Sequence, residues 1–128
     1  MVTPGQLIVG RIVRLRMLTD PQGGNPKSRR ALIVGTGQPD RFLLLVVAAI
    51  ASIRSGTTSI HQVELPFRPD GHPQTSLTNP SAVICDWTCS VTISDIDSVC
   101  GYCPPLLLAE VLGKIAELDA ARRRSENR

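Results

Sequence analysis

The sequence predicts one mostly β domain of 128 residues, a small antiparallel barrel followed by a C-terminal helix. Short apolar runs recur along residues 5–103 between clusters of turn-forming residues, which is typical of antiparallel β structure. The longest apolar run, residues 42–51, is too short to cross a bilayer and indicates a buried central strand. The clearest helical periodicity lies after Pro104.

The first strand is expected at residues 5–13. Residues 18–30 are expected to form a loop, because 20–26 are a cluster of turn formers. Further strands are expected at 31–35, 42–50, 59–65, 82–87 and 99–103, with pairing continued by 90–93. A turn is expected at 36–40, a long proline-rich excursion at 66–80, and a helical turn at 94–97 with Ser94 as its cap.

The helix is expected to start at Pro104 or Pro105, because the missing proline N–H costs nothing in a first turn. Its apolar residues fall on a single stripe that should pack on the sheet. They are Leu107, Leu108, Val111, Leu112, Ile115 and Leu118. The three arginines at 122–124 suit the negative end of the helix dipole.

Basic residues are concentrated in the first part of the chain. Eight of the 14 Lys and Arg residues, but only two of the 11 Asp and Glu residues, fall within residues 1–54. This asymmetry suits a polyanion such as RNA, although chance clustering on a solvated surface accounts for it equally well. Because only 3% of residues are aromatic, base stacking should not dominate. With no apolar signal segment at the N-terminus, a reducing cytoplasm is expected.

The four cysteines leave two interpretations open. Cys100 and Cys103 have a spacing that zinc ligands use. Cys85, Trp87 and Cys89 alternate along a strand pattern and are therefore expected to share one face. Small buried thiols that pack like Ala or Val account for the pattern without a metal. We expect no metal and no cofactor.

Residues 25–35 read Asn-Pro-Lys-Ser-Arg-Arg-Ala-Leu-Ile-Val-Gly, a polar loop with three cations that runs directly into an apolar strand. Cations at the start of a rigid strand are held in place and can bind an anion. The segment resembles the loop–strand junction of the PemK/MazF-type toxins, small bacterial ribonucleases with an Arg-Pro-Ala-Leu-Val-like run. Arg30 stands where that family usually has proline. The resemblance extends to residues 4–8, 80–87 and 99–101 and to the leucine-rich helix.

The resemblance implies an SH3-like barrel of the PemK/MazF/CcdB type that cleaves single-stranded mRNA without a metal, leaving a cyclic phosphate and a 5′-hydroxyl. The 2′-hydroxyl of the RNA would be the nucleophile. Arg29 matches the catalytic arginine of the family. The planar guanidinium of an arginine can donate two parallel hydrogen bonds to the oxygens of a phosphorane and so stabilise its charge. Lys27, Ser28, Arg30 and Arg54 are expected to bind neighbouring RNA phosphates.

The second active residue of the family is usually a Thr at the end of the third strand, and Ala51 takes that position here. Alanine cannot donate a hydrogen bond, so the following hydroxyl, Ser52, is the candidate. Pleating points Ser52 to the other face unless the strand bulges.

The resemblance also implies a homodimer and an antitoxin whose acidic segment occupies the RNA groove; no membrane partner is expected. Two alternatives stay open. One is a toxin fold that inhibits a protein target such as DNA gyrase, which the missing Thr would suit. The other is a catalytically degenerate nucleic-acid-binding module. His61 and His72 have no assignable partner and are not expected to catalyse.

Overall fold

The computed structural model describes residues 4–19, 23–24, 26–37, 44–54 and 59–126. The strands are β1 (Arg11–Leu18), β2 (Lys27–Gly37), β3 (Leu44–Ser52), β4 (Gln62–Leu65), β5 (Ser81–Thr92) and β6 (Ile96–Tyr102), and helix α1 (Pro105–Glu126) follows. The predicted class, mostly β with a C-terminal helix, is confirmed. Within the described residues, no helix is long and apolar enough to cross a membrane.

The six strands form one antiparallel sheet in the order β4-β5-β3-β2-β1-β6. Within the described part of the chain β4 does not pair with β6, so the sheet is open and the predicted closed barrel is not formed. Residues 66–80, here called the bridging segment, connect the two edges. The segment leaves the end of β4, and the Gln74 carbonyl accepts a 2.8 Å hydrogen bond from the Tyr102 N–H in β6.

Four strands begin at places that differ from the prediction by three residues or more. β4 begins at Gln62 rather than at 59, and β6 begins at Ile96 rather than at 99. β1 begins at Arg11 rather than at residue 5, because residues 4–6 form a 3-10 turn and Gly10 has a φ of +101°, which interrupts extended backbone. β2 begins at Lys27, so the cations expected in a loop lie within a strand that pairs with β1.

The short helical turn occupies Ile93–Asp95 and not 94–97. The Thr92 N–H donates to the Asp95 carboxylate at 2.9 Å, so Thr92 and not Ser94 is the capping residue. The turns predicted at 20–26 and 36–40, and the start of the strand predicted at 42, lie wholly or partly outside the described residues.

Apolar side chains on the two faces of the sheet form two core clusters. Neighbours along a strand alternate between them, so Leu32 belongs to the first cluster and Ile33 to the second. α1 covers the first cluster with the fully buried Val111. The partly buried helix residues that pack there are Leu107, Leu108, Ile115 and Leu118. These belong to the predicted stripe, but Leu112, which was also predicted in it, is not part of this cluster. We call this the helix-side face, and the face of Ile33 the opposite face.

β5 changes face between Cys85 and Cys89. Thr88 pairs with Ala48 whereas Val83 pairs with Ile50, so the extra residues of β5 bulge out of register. Cys85 lies in the first cluster and Cys89 packs against the second, so the prediction that they share a face is wrong.

Three of the four thiols are held in the protonated form. Burial raises the pKa of Cys85 and Cys89, and it raises the pKa of Cys103 to about 11. A thiol must lose its proton to bind a metal, so this burial works against a zinc site. In the described ranges, no group of three or more His, Cys, Asp or Glu residues is placed to hold a metal ion.

Candidate nucleic-acid interface

A cleft of about 540 Å³ lies at the end of the sheet where β2 begins and β3 ends. Four cations line it, namely Arg14, Lys27, Arg29 and Arg30, together with the hydroxyl residues Ser28, Ser52 and Ser81. None of the described residues that line it is acidic. Such a cleft is suited to an anion, because it supplies charge and hydrogen-bond donors without a competing carboxylate.

Arg14 and Arg30 stand directly opposite each other on β1 and β2. Each lies two residues from a member of the first core cluster, Ile12 or Leu32, so alternation places both side chains on the helix-side face. Cross-strand Cβ atoms are about 4.5–5.5 Å apart, and like charges at that spacing destabilise a sheet. A bound anion would relieve that repulsion.

Neither arginine of this pair has a counter-charge in the described residues, where the ion pairs are Arg16–Asp97 and Arg122–Asp119. The Nε of Arg30 is buried and finds no hydrogen-bond partner among the described residues. A buried donor without a partner is costly. The position of Arg14 in the cleft was not predicted, because it depends on the pairing register between β1 and β2.

Arg29 is held at the cleft by two contacts. Its Nε donates to the Leu18 carbonyl at 3.2 Å. Its guanidinium carbon lies 4.9 Å from the ring centroid of Trp87, a cation–π distance. Alternation from Ala31, a member of the second cluster, directs Arg29 to the opposite face. The contact with Trp87 carried no sequence signal, because it joins β2 to the bulged part of β5.

Ser52 and Ala51 are divided between the two faces. β3 pairs regularly through its end, with Ala51 opposite Ala82 and Ser52 opposite Ser81. Ser52 therefore follows Ile50 onto the helix-side face, the face of Arg30. Ala51 falls on the face of Arg29. The cleft brings Arg29 and Ser52 together at its lining, but their side chains leave opposite faces of the sheet.

The remaining predicted site residues have different positions. Lys27 is exposed at the cleft, at the first position of β2. The hydroxyl of Ser28 donates to the Leu15 carbonyl at 3.0 Å, a bond that ties β2 to β1. Arg54 is exposed two residues beyond β3 and is not among the residues that line the cleft.

Neither histidine lines the cleft. The Nδ1 of His72 accepts the backbone N–H groups of Gln74 at 3.1 Å and Thr75 at 3.4 Å, which shapes the bridging segment. The backbone carbonyl of His61 accepts the Cys85 N–H at 2.8 Å. The side chain of His72 therefore has a structural role, whereas the contact of His61 is made by its backbone alone.

No known family model matches this chain, and no curated protein sequence matches it. The fold and the site define the class directly: a small, open, antiparallel β protein with one C-terminal helix and a cationic cleft at the end of its sheet.

Proposed function

We propose that this chain is the toxin of a type II toxin–antitoxin pair, an endoribonuclease that cleaves single-stranded mRNA without a metal. The observation that carries the proposal is the cleft with four cations and no acidic side chain among its described lining residues. Such a surface binds a phosphodiester backbone through charge. The resemblance of residues 25–35 to the PemK/MazF junction supplies the reaction type.

The substrate provides the nucleophile. The 2′-hydroxyl attacks the adjacent phosphorus, the bond to the 5′-oxygen breaks, and the products are a cyclic phosphate and a 5′-hydroxyl. We assign Arg29 to the charge that develops on the phosphorane. Its contacts with Leu18 and Trp87 hold the guanidinium in place before the substrate arrives, and preorganised charge is the most effective kind.

The other cleft residues are assigned to substrate binding. Arg14 and Arg30 hold one phosphate between their guanidinium groups on the helix-side face, and Ser52 donates its hydroxyl to a phosphate oxygen there. Lys27 binds a neighbouring phosphate at the exposed rim. Their shared position in an acid-free cleft supports these roles.

The test is cleavage of a fluorescent single-stranded RNA by the purified protein in the presence of EDTA. Arg29→Ala should slow cleavage by about two to three orders of magnitude, as expected for loss of a preorganised charge donor. The matched control is Arg16→Ala, because Arg16 lies on β1 and pairs with Asp97 at 3.1 Å without lining the cleft. Wild-type cleavage rates in a folded Arg29→Ala protein would contradict the assignment.

A nucleic-acid-binding module without cleavage is the second candidate function. The observation that favours it is Ala51, which leaves the face of Arg29 without a hydroxyl at that position of β3. If the chain cleaves, Ala51→Thr should raise the rate and Ser52→Ala should lower it less than Arg29→Ala does. RNA binding without cleavage in both the wild type and Ala51→Thr would select the module. Growth arrest with DNA damage and intact mRNA would select a gyrase-type target.

The proposal includes two partners in the cytoplasm. A cognate antitoxin with an acidic segment complements the cationic cleft and would compete with RNA for it. A second copy of the chain completes a homodimer, which light scattering of the purified protein checks directly. A synthetic acidic peptide that leaves RNA cleavage unchanged would count against the antitoxin role of the cleft.

A further inference from the structure

A second cavity, of about 370 Å³, lies where the start of β1 meets the end of β6 and the first turn of α1. Its walls are mainly apolar, with contributions from Ile8, Val9, Tyr102 and Leu108. The volume falls within the range of about 300–1,000 Å³ that small-molecule sites occupy. None of its residues lines the cationic cleft, so it is independent of the proposed ribonuclease site.

The walls stay partly open to solvent although they are apolar. Ile8 is 53% exposed, Val9 36% and Tyr102 41%, so three large apolar side chains are grouped at its mouth. Two backbone hydrogen bonds hold the chain next to these side chains. The Gly10 N–H donates to the Ile33 carbonyl at 2.9 Å, and the Gly10 carbonyl accepts a bond from the Cys103 N–H at 2.8 Å. The cavity is therefore a preformed feature of the fold.

One end of this cavity is cationic. Arg11 lines it, and the Nε of Arg11 is buried without a hydrogen-bond partner among the described residues. α1 begins at the cavity with Pro105, and its first turn carries no acidic residue to offset the positive end of the helix dipole. The described lining has no carboxylate, and the buried Cys103 thiol, whose pKa rises to about 11, stays neutral.

We propose that this cavity binds a small monocarboxylate with an apolar body, its carboxylate on Arg11 and its apolar chain between Tyr102 and Leu108. An apolar body alone would leave the Arg11 guanidinium without a counter-charge among the described residues, and an inorganic anion alone would leave the apolar walls exposed. A carboxylate on an alkyl chain satisfies both. Such an occupant suits the common design of a pocket with apolar walls and one polar group that fixes orientation.

The test uses octanoate and its neutral analogue octanamide, titrated below micelle-forming concentrations into ¹⁵N-labelled full-length protein. Octanoate should shift the amide resonances of Gly10, Tyr102, Cys103 and Leu108, and octanamide should bind more weakly. Arg11→Met keeps an apolar stem and should weaken octanoate binding by about ten- to a hundredfold while leaving octanamide binding unchanged. The control Arg16→Met removes a cation of the same strand that does not line the cavity.

A second variant keeps the proposal testable if Arg11→Met does not fold. Val9→Trp, at a partly exposed wall position, should fill the cavity and reduce the binding of both probes. Equal binding of the two probes to the wild type, or wild-type octanoate binding by Arg11→Met, would overturn the proposal. So would a lack of resonance shifts. Octanoate shifts that report only the dissociation of a dimer would assign the cavity to self-association instead.

Discussion

At the scale of single residues, Gly101 decides how closely the bridging segment approaches β6. A Cβ built on Gly101 would lie 2.9 Å from the carbonyl carbon and 3.0 Å from the carbonyl oxygen of Thr75, and it would also meet the Gln74 carbonyl. These are backbone atoms, which cannot turn aside as a side chain can. Only glycine fits at position 101, because any Cβ atom would overlap the backbone of the bridging segment.

We expect Gly101→Ala to lower the free energy of unfolding by about 1–3 kcal/mol, as overpacking typically does. Urea denaturation measures the change. The matched control is Gly113→Ala, because Gly113 is an exposed residue of α1 with nothing within 4 Å of its added Cβ. That variant should gain up to about 1 kcal/mol from helix propensity. Equal effects of the two substitutions would show that the bridging segment adjusts freely.

At the scale of elements, α1 is fastened to the sheet by its apolar face. Val111 is fully buried in the first core cluster, whereas Leu106, five residues earlier, is 88% exposed. The Nζ of Lys114 adds a 2.9 Å hydrogen bond to the Ile60 carbonyl, just before β4. These contacts join the helix to the first core cluster and to the residues before β4.

Val111→Ala should lower the free energy of unfolding by about 2 kcal/mol, since it removes buried methyl groups and leaves a cavity. Leu106→Ala removes a larger side chain from an exposed position and should change stability by less than about 0.5 kcal/mol. Thermal or urea unfolding followed by circular dichroism distinguishes the two. A larger loss from Leu106→Ala would mean that the exposed turn is covered by a partner in solution.

At the scale of the whole molecule, the charge distribution sets the salt dependence of RNA binding. Each phosphate neutralised on a single strand contributes about −0.7 to the slope of log affinity against log salt. Replacing Lys27 and Arg30 together by alanine should therefore make the slope shallower and weaken binding to all sequences alike. The slope is measured by titrating salt into the complex of the protein with a noncleavable single-stranded RNA.

The matched control for this titration is the double variant of Arg122 and Arg123. It removes the same charge from the exposed end of α1, outside the cleft. An unchanged slope for the Lys27 and Arg30 variant would exclude those two cations from the RNA contact. A flat wild-type curve would remove RNA binding altogether and leave the protein-target alternative.

The elements that sequence reasoning predicted well are those with a local signal. α1 follows from its periodicity and its leading proline, and the central position of β3 follows from its unbroken apolar run. Three of the cleft cations were recognised because Lys27, Arg29 and Arg30 lie within four consecutive residues. Features set by long-range pairing were missed, namely Arg14 in the cleft, the cation–π contact with Trp87, and the open sheet.

Face assignments failed for a related reason. A period of two assigns side chains correctly only while the register is unbroken, and the bulge in β5 sends Cys85 and Cys89 to different faces. β3 has no bulge at its end, so pleating directs Ser52 to the face opposite that of Arg29. Nothing local in the sequence distinguishes these two strands.

The bridging segment also has a consequence for folding and solubility. β4 and β6 are edge strands, and an uncovered edge offers unpaired N–H and C=O groups to any other extended chain. The contact between Gln74 and Tyr102 covers part of the β6 edge. We expect it to form late, because the β6 edge exists only after β6 has paired with β1, which is far from it in the sequence. Until that contact forms, the refolding chain should be prone to aggregate through β6, and variants that loosen it should aggregate faster at high protein concentration.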